Sequence, residues 1–148
     1  MKLSAVCFVL VGFLFSHNLI AGLLPVMSER SDYHAAKSAF VVDNAAANDV
    51  VLTSYEPILI FYLRYHCAAE VMNSGSRSVD EIEDRLGMLE GNAYAFSSFF
   101  EPMESMRHRD AGLYGRMAAT GDYFVPEFVK IKNDEFGGMY RFNPEPEF

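Results

Sequence analysis

An almost unbroken apolar stretch from Leu3 to Phe15 follows Met1 and Lys2, and after Ser16-His17-Asn18 a second apolar patch runs to Met27. These residues are set apart from whatever the rest of the chain folds into. A basic start, an apolar run and then small residues is the order of a secretory signal peptide. The sequence therefore predicts a signal over residues 1–22, cut near Ala21 or Gly22, and a secreted, extracellular product. The alternative is an uncleaved anchor carrying an ectodomain, because Leu3 to Met27 approaches the roughly 20 residues that cross a bilayer. His17 and Asn18 oppose that reading, since polar groups inside a span are costly.

The remainder offers about 125 residues, enough for one domain to close its own core. The chain holds 12 Lys+Arg against 20 Asp+Glu, a formal net charge of −8. Nucleic-acid binding rests on cationic contacts to phosphate, so this balance argues against such a partner. Arg107-His108-Arg109, with Arg116 nearby, is the one basic candidate, and Glu104 and Asp110 flank it. A solvated helix end accounts for it. Of two cysteines, Cys7 lies in the apolar leader and Cys67 beyond it, so the cleaved chain has no intrachain disulfide and must hold by packing. Its 13 Phe, 8 Tyr and 8 Met supply that packing. No Asn-x-Ser/Thr acceptor for glycosylation occurs.

From Ser31 onward the spacing of apolar residues predicts helix after helix. Tyr33, Ala36, Phe40 and Val41 share one face of a helix over about 31–46. Val50-Val51-Leu52 is too short to decide between a strand and an extended lead into the next helix. Thr53-Ser54-Tyr55-Glu56-Pro57 then carries a cap, an acid and a first-turn proline. The run Ile58 to Leu63, apolar on every face, predicts a buried central helix continuing through Met72 to a stop at Asn73-Ser74-Gly75. In that helix Phe61 and Cys67 face the same way and are buried. Ser78-Val79-Asp80-Glu81 is a capping box. It opens a helix with Val79, Ile82, Leu86 and Leu89 inward and Asp80, Glu81, Glu83 and Asp84 outward.

A fourth helical segment is predicted from Asn92 to about Arg107, interrupted at Pro102. The stretch around Gly112 and Gly115 gives no clear signal. A last helix is predicted from Gly121, with Phe124, Val125, Phe128 and Val129 at helical spacing and Lys130 and Lys132 at its C-terminal end. The sum is an all-α, single-domain bundle of four to six helices over residues 23–136, with an irregular tail over 137–148.

No motif in this sequence carries chemistry. Arg64-Tyr65-His66-Cys67 brings a thiol and a base together in sequence, but adjacent helical residues point about 100° apart, so His66 cannot readily serve Cys67. His34, His66 and His108 lack metal-ligand spacing, and the acidic run from Asp80 to Asp84 lacks the rhythm of a calcium loop. Gly137-Gly138 and Gly112-x2-Gly115 match no nucleotide-binding pattern. The expectation is therefore a non-enzymatic interaction protein, with no catalytic, cofactor or metal residues and no cofactor, acting as a monomer on a protein partner. A carrier of a small apolar ligand is the second reading and an enzyme the least favoured. An exposed apolar patch would favour the first, an enclosed apolar cavity the second.

Overall fold

The computed structural model describes residues 11–17, 24–124 and 127–143, with side chains described at 11–17 and from residue 33 onward. The chain divides into two compact units, Met1–Ala36 and Lys37–Phe148. In the first, residues 11–17 are helical and leave Val11, Phe13, Leu14 and Phe15 each more than half exposed. The expected cleavage region at Ala21 and Gly22 lies outside the described residues. No helix among the described residues is long and apolar enough to cross a membrane.

A long helix, α1 (Leu24–Asn44), runs into the second unit. That unit sets a five-stranded mixed sheet among its helices, so the all-α bundle expected from the sequence is overturned. Strand β1 (Val50–Thr53) leads through α2 (Pro57–His66) to β2 (Glu70–Asn73), and α3 (Val79–Gly87) leads to β3 (Ala93–Phe96). Three helices follow, α4 (Ser97–Phe100), α5 (Glu104–Arg109) and α6 (Ala111–Phe124). A hairpin of β4 (Phe128–Asp134) and β5 (Gly137–Phe142) completes one five-stranded sheet in the order β2-β1-β3-β5-β4. The pairs of β1 with β2 and β3 are parallel, and those of β5 with β3 and β4 antiparallel.

Both faces of this sheet are covered. Val51, Val71, Tyr94 and Phe96 point to one side, where they meet Val41 of α1 and Leu59, Ile60 and Leu63 of α2. Val50, Leu52, Met72, Ala93 and Ala95 point to the other, against Ile82 and Leu86 of α3, Phe99 of α4 and Phe124 of α6. This double burial hides the parallel strands β1, β2 and β3 from sequence periodicity. A parallel strand covered on both faces reads as a short continuous apolar run without alternation, and four residues are too few to show a period.

The corrections follow element by element. The predicted central helix ends at His66, Cys67 turns the chain into extended backbone, and the part read as its continuation through Met72 is β2. Neither Thr53 nor Ser54 caps α2, because Glu56 occupies that position and makes no side-chain cap bond. Ala93–Phe96 is a strand, not the start of a helix. The ambiguous glycine stretch lies inside α6, and Phe128 to Lys132, predicted to be helical, belong to β4. The tail read as irregular supplies β5. The capping box forms as expected: the Glu81 amide donates to Ser78 Oγ at 3.2 Å and the Ser78 amide donates to Glu81 Oε2 at 2.8 Å.

Two glycines are required by close approach. Gly137 has φ of 109°, a backbone conformation open to glycine, and a Cβ there would meet Ser97 Oγ. Gly121 lets α6 lie against α4, where a Cβ would run into the Phe100 carbonyl. At the amino edge of the sheet, the buried Asp49 carboxylate accepts hydrogen bonds from the Ala46 amide at 2.8 Å and the Asn92 amide at 2.7 Å. It ties together the two turns that launch β1 and β3.

Candidate functional site at the carboxyl edge of the parallel strands

The chain leaves β1 over one face of the sheet to reach β2, then returns over the other face to place β3 on the far side of β1. In open α/β sheets the crevice at such a reversal, outside the carboxyl ends of the strands, is where ligands bind. Here the ends of β1 and β3 present Ser54, Glu56 and Ser98, and Lys37 arrives from α1. Lys37 Nζ lies 2.8 Å from Glu56 Oε2 and 3.0 Å from Oε1. Ser98 Oγ donates to Glu56 Oε1 at 2.7 Å and Ser54 Oγ donates to the same oxygen at 3.0 Å. The ammonium also sits 5.7 Å from the Phe96 ring centroid.

Burial by itself pushes the Glu56 carboxyl up, but the hydrogen bonds from Lys37 and Ser98, the Lys37 charge and the Ser54 bond outweigh it and hold the group below its ordinary value. A carboxylate so fully supplied with donors is poorly suited to take a proton from a substrate. The crevice is thus filled by the chain's own ion pair. The cavity beside it, bordered by Lys37, Phe40, Lys132 and Gly137, has room for about one water, ≈ 10 Å³.

Polar groups also gather around the ends of β1 and β2. Thr53 Oγ1, Asn73 Oδ1 and Ser74 Oγ are buried there with no hydrogen-bond partner among the described residues. Outside them an open groove of ≈ 440 Å³ is lined by Tyr55, Pro57, Phe61, Arg64, Asn73 and Ser76. A second groove, of ≈ 460 Å³, lies at the opposite edge beside Leu86, Gly91, Asn92 and Arg141.

The outer face of α2 forms one wall of the first groove. Ile58, Phe61 and Tyr65, spaced three and four residues apart, are 42%, 74% and 78% exposed and so share one side of the helix. Tyr55, at 49%, extends that surface at the helix start. The expectation that Phe61 is buried is therefore wrong. Hydropathy on every face predicts burial on every face, whereas α2 belongs to an outer layer and buries only Leu59, Ile60 and Leu63. Cys67 does not share the direction of Phe61 either. It lies past the helix end, half-buried, with Sγ 4.0 Å from the Val41 carbonyl oxygen.

The other candidates are spread over the surface. The His66 ring stacks on Tyr62 with centroids 4.2 Å apart. His108 is exposed on α5, where Arg107 pairs with Glu104 at 3.2 Å. Asp80, Glu83 and Asp84 are exposed on α3, and Glu81 is engaged in its cap. Among the described residues no group of three or more His, Cys, Asp or Glu side chains could hold a metal ion. Sequence reasoning missed the Lys37–Glu56 pair altogether, because its partners lie 19 residues apart and meet only through the sheet. No protein family matches the chain, and no curated protein and no solved structure is similar to it.

Proposed function

We propose that this chain is a non-enzymatic binding module whose contact surface is the outer face of α2 with the adjoining carboxyl-edge groove. The observation that carries this reading is the joint exposure of Ile58, Phe61 and Tyr65 on one helix face. Large apolar side chains gathered on a surface cost free energy in water, and such patches mark contact sites for other macromolecules or membranes. The polar cluster at the strand ends supports the same reading, since Glu56 is committed to Lys37 and two serines and serves to fix the loops that carry the face. A carrier of small apolar ligands is less favoured, because the grooves of ligand size are open and partly polar.

The test is a photo-activatable cross-linker placed at position 61, at position 65 and, as a control, at Met88, which is 70% exposed at the end of α3 on the other side of the sheet. In the source cell, adducts at 61 and 65 but not at 88 are expected. Equal labelling at all three, or none at 61 and 65, would overturn the reading.

A further inference from the structure

We infer that the groove of ≈ 440 Å³ at the carboxyl ends of β1 and β2 takes an acidic segment of a partner polypeptide, with a carboxylate on Arg64, a peptide unit on Asn73 and an apolar side chain against Tyr55 and Phe61. This names the occupant of the proposed contact surface and rests on that reading. The outer face of α2 supplies only the apolar wall. The polar wall decides what the occupant must carry.

That wall stands where two parallel strands end. Thr53 and Asn73 are their last register pair, and Ser74 follows. All three residues are more than nine-tenths buried, yet Thr53 Oγ1, Asn73 Oδ1 and Ser74 Oγ have no hydrogen-bond partner among the described residues. Buried polar groups are normally satisfied, so oxygens left over beside a groove point to a donor arriving from outside. The loop backbone is already engaged: the Ser74 amide donates to the Thr53 carbonyl, and the Ser76 and Arg77 amides donate to the Asn73 carbonyl. Side chains are what remain, and Asn73 is the member of the cluster that also lines the groove. Its amide turns on a soft, roughly two-fold torsion and can offer an acceptor or a donor there. A peptide unit, with one donor and one acceptor of its own, matches it.

Charge gives the sign of the occupant. Arg64 is the one charged side chain in the lining, and it has no ion-pair partner among the described residues. The acids nearest in sequence to the groove are committed elsewhere, Glu56 to Lys37 at 2.8 Å and Glu81 to Arg77 at 3.3 Å. The net charge of −8 is screened beyond about 8 Å at physiological ionic strength. A carboxylate in the groove therefore meets an uncompensated guanidinium, whose fork it can accept in bidentate fashion. Small-molecule sites enclose most of their ligand, whereas this groove is open and suits a chain that runs through it.

The full-length protein would be used to select from a displayed library of random ten-residue peptides, and the enriched peptides titrated against the parent, Arg64→Gln and Arg77→Gln. Enrichment of peptides with Asp or Glu beside a large apolar residue is expected. Arg64→Gln should weaken the tightest of them about ten-fold, the loss of one charge-assisted contact. Arg77→Gln, which removes an exposed charge already paired with Glu81, should stay within about two-fold of the parent. Phenylacetate, a small aromatic anion, should fail to displace the peptide.

Enrichment of basic or uncharged peptides, no enrichment, or unchanged affinity in Arg64→Gln would overturn the proposal. Displacement by phenylacetate at the peptide's own potency would also overturn it and make the occupant a small organic anion. If protein cross-links at 61 and 65 persist in any of these cases, the binding-module reading stands without this occupant. If they fail as well, both fall.

Discussion

Lys37 of α1 and Glu56 at the carboxyl end of β1 meet at 2.8 Å with the ammonium 8% and the carboxylate 21% exposed, so the last turns of a long helix are pinned to the strand edge by a nearly dry ion pair. Breaking it strands a charge in poor solvent. Lys37→Met, which keeps the apolar stem, is expected to cost about 2–4 kcal/mol at neutral pH. The pH dependence has a definite sign. The folded Glu56 carboxyl is held below its ordinary 4.5, so its contribution is complete above that value and lost as pH falls through the lower, folded one. Urea titrations from neutral pH down to about pH 3 should show the gap between parent and Lys37→Met closing on the acid side. Glu56→Gln should flatten the acid limb. An equal gap at every pH would mean that the pair contributes nothing through its charge.

The capping box at the start of α3 gives a local test. Ser78→Ala is expected to destabilise the fold by about 1 kcal/mol. Glu81→Ala should cost less, since it removes only the return bond to the Ser78 amide. Parent-like stability of Ser78→Ala in urea would show that this helix start contributes nothing to the fold.

Two phenylalanines should behave oppositely. Phe61→Ala removes an exposed ring and is expected to leave stability within about 0.5 kcal/mol of the parent. Phe99 is fully buried beside Phe100, Phe124 and Phe128, and Phe99→Ala is expected to cost about 3–5 kcal/mol. Thermal melts of the two variants side by side decide it, and a large loss for Phe61→Ala would place α2 inside the fold.

Glycines within α6 divide in the same manner. Gly121→Ala would drive its methyl against the Phe100 carbonyl and should cost about 1–3 kcal/mol through displacement of α4. Gly115 has open space around its Cβ direction, so Gly115→Ala should stabilise by about 0.5–1 kcal/mol. Similar melting temperatures for the two alanine variants would remove the close contact between α6 and α4.

What the sequence disclosed was local. Ser78 and Glu81 lie three residues apart and satisfy each other's backbone, so their pairing is written in the order of residues. The helical stretch through Tyr33 to Val41 and the first-turn position of Pro57 are local in the same sense. The sheet was illegible because its pairing is not local: Leu52 sits opposite Met72 on one side and Ala95 on the other. β1, β2 and β3 are each only four residues long, fragments that a helix could equally contain. The site was hidden for the same reason. Lys37, Glu56 and Ser98 come from three distant segments and become neighbours only once the strand order reverses. Phe61 failed differently, since hydropathy on every face does not say which face an outer layer leaves to solvent.

The bulge between Lys130 and Lys132 has a consequence for how this domain meets its surroundings. Strand β4 is an outermost strand, and there the register slips while two lysines and Asp134 line the strand. Twist and charge of this kind deter another chain from extending the sheet by hydrogen bonding to its rim. The opposite rim, β2, offers only four residues. With a slipped, charged rim on one side and a four-residue rim on the other, the sheet is guarded against ribbon-like self-assembly.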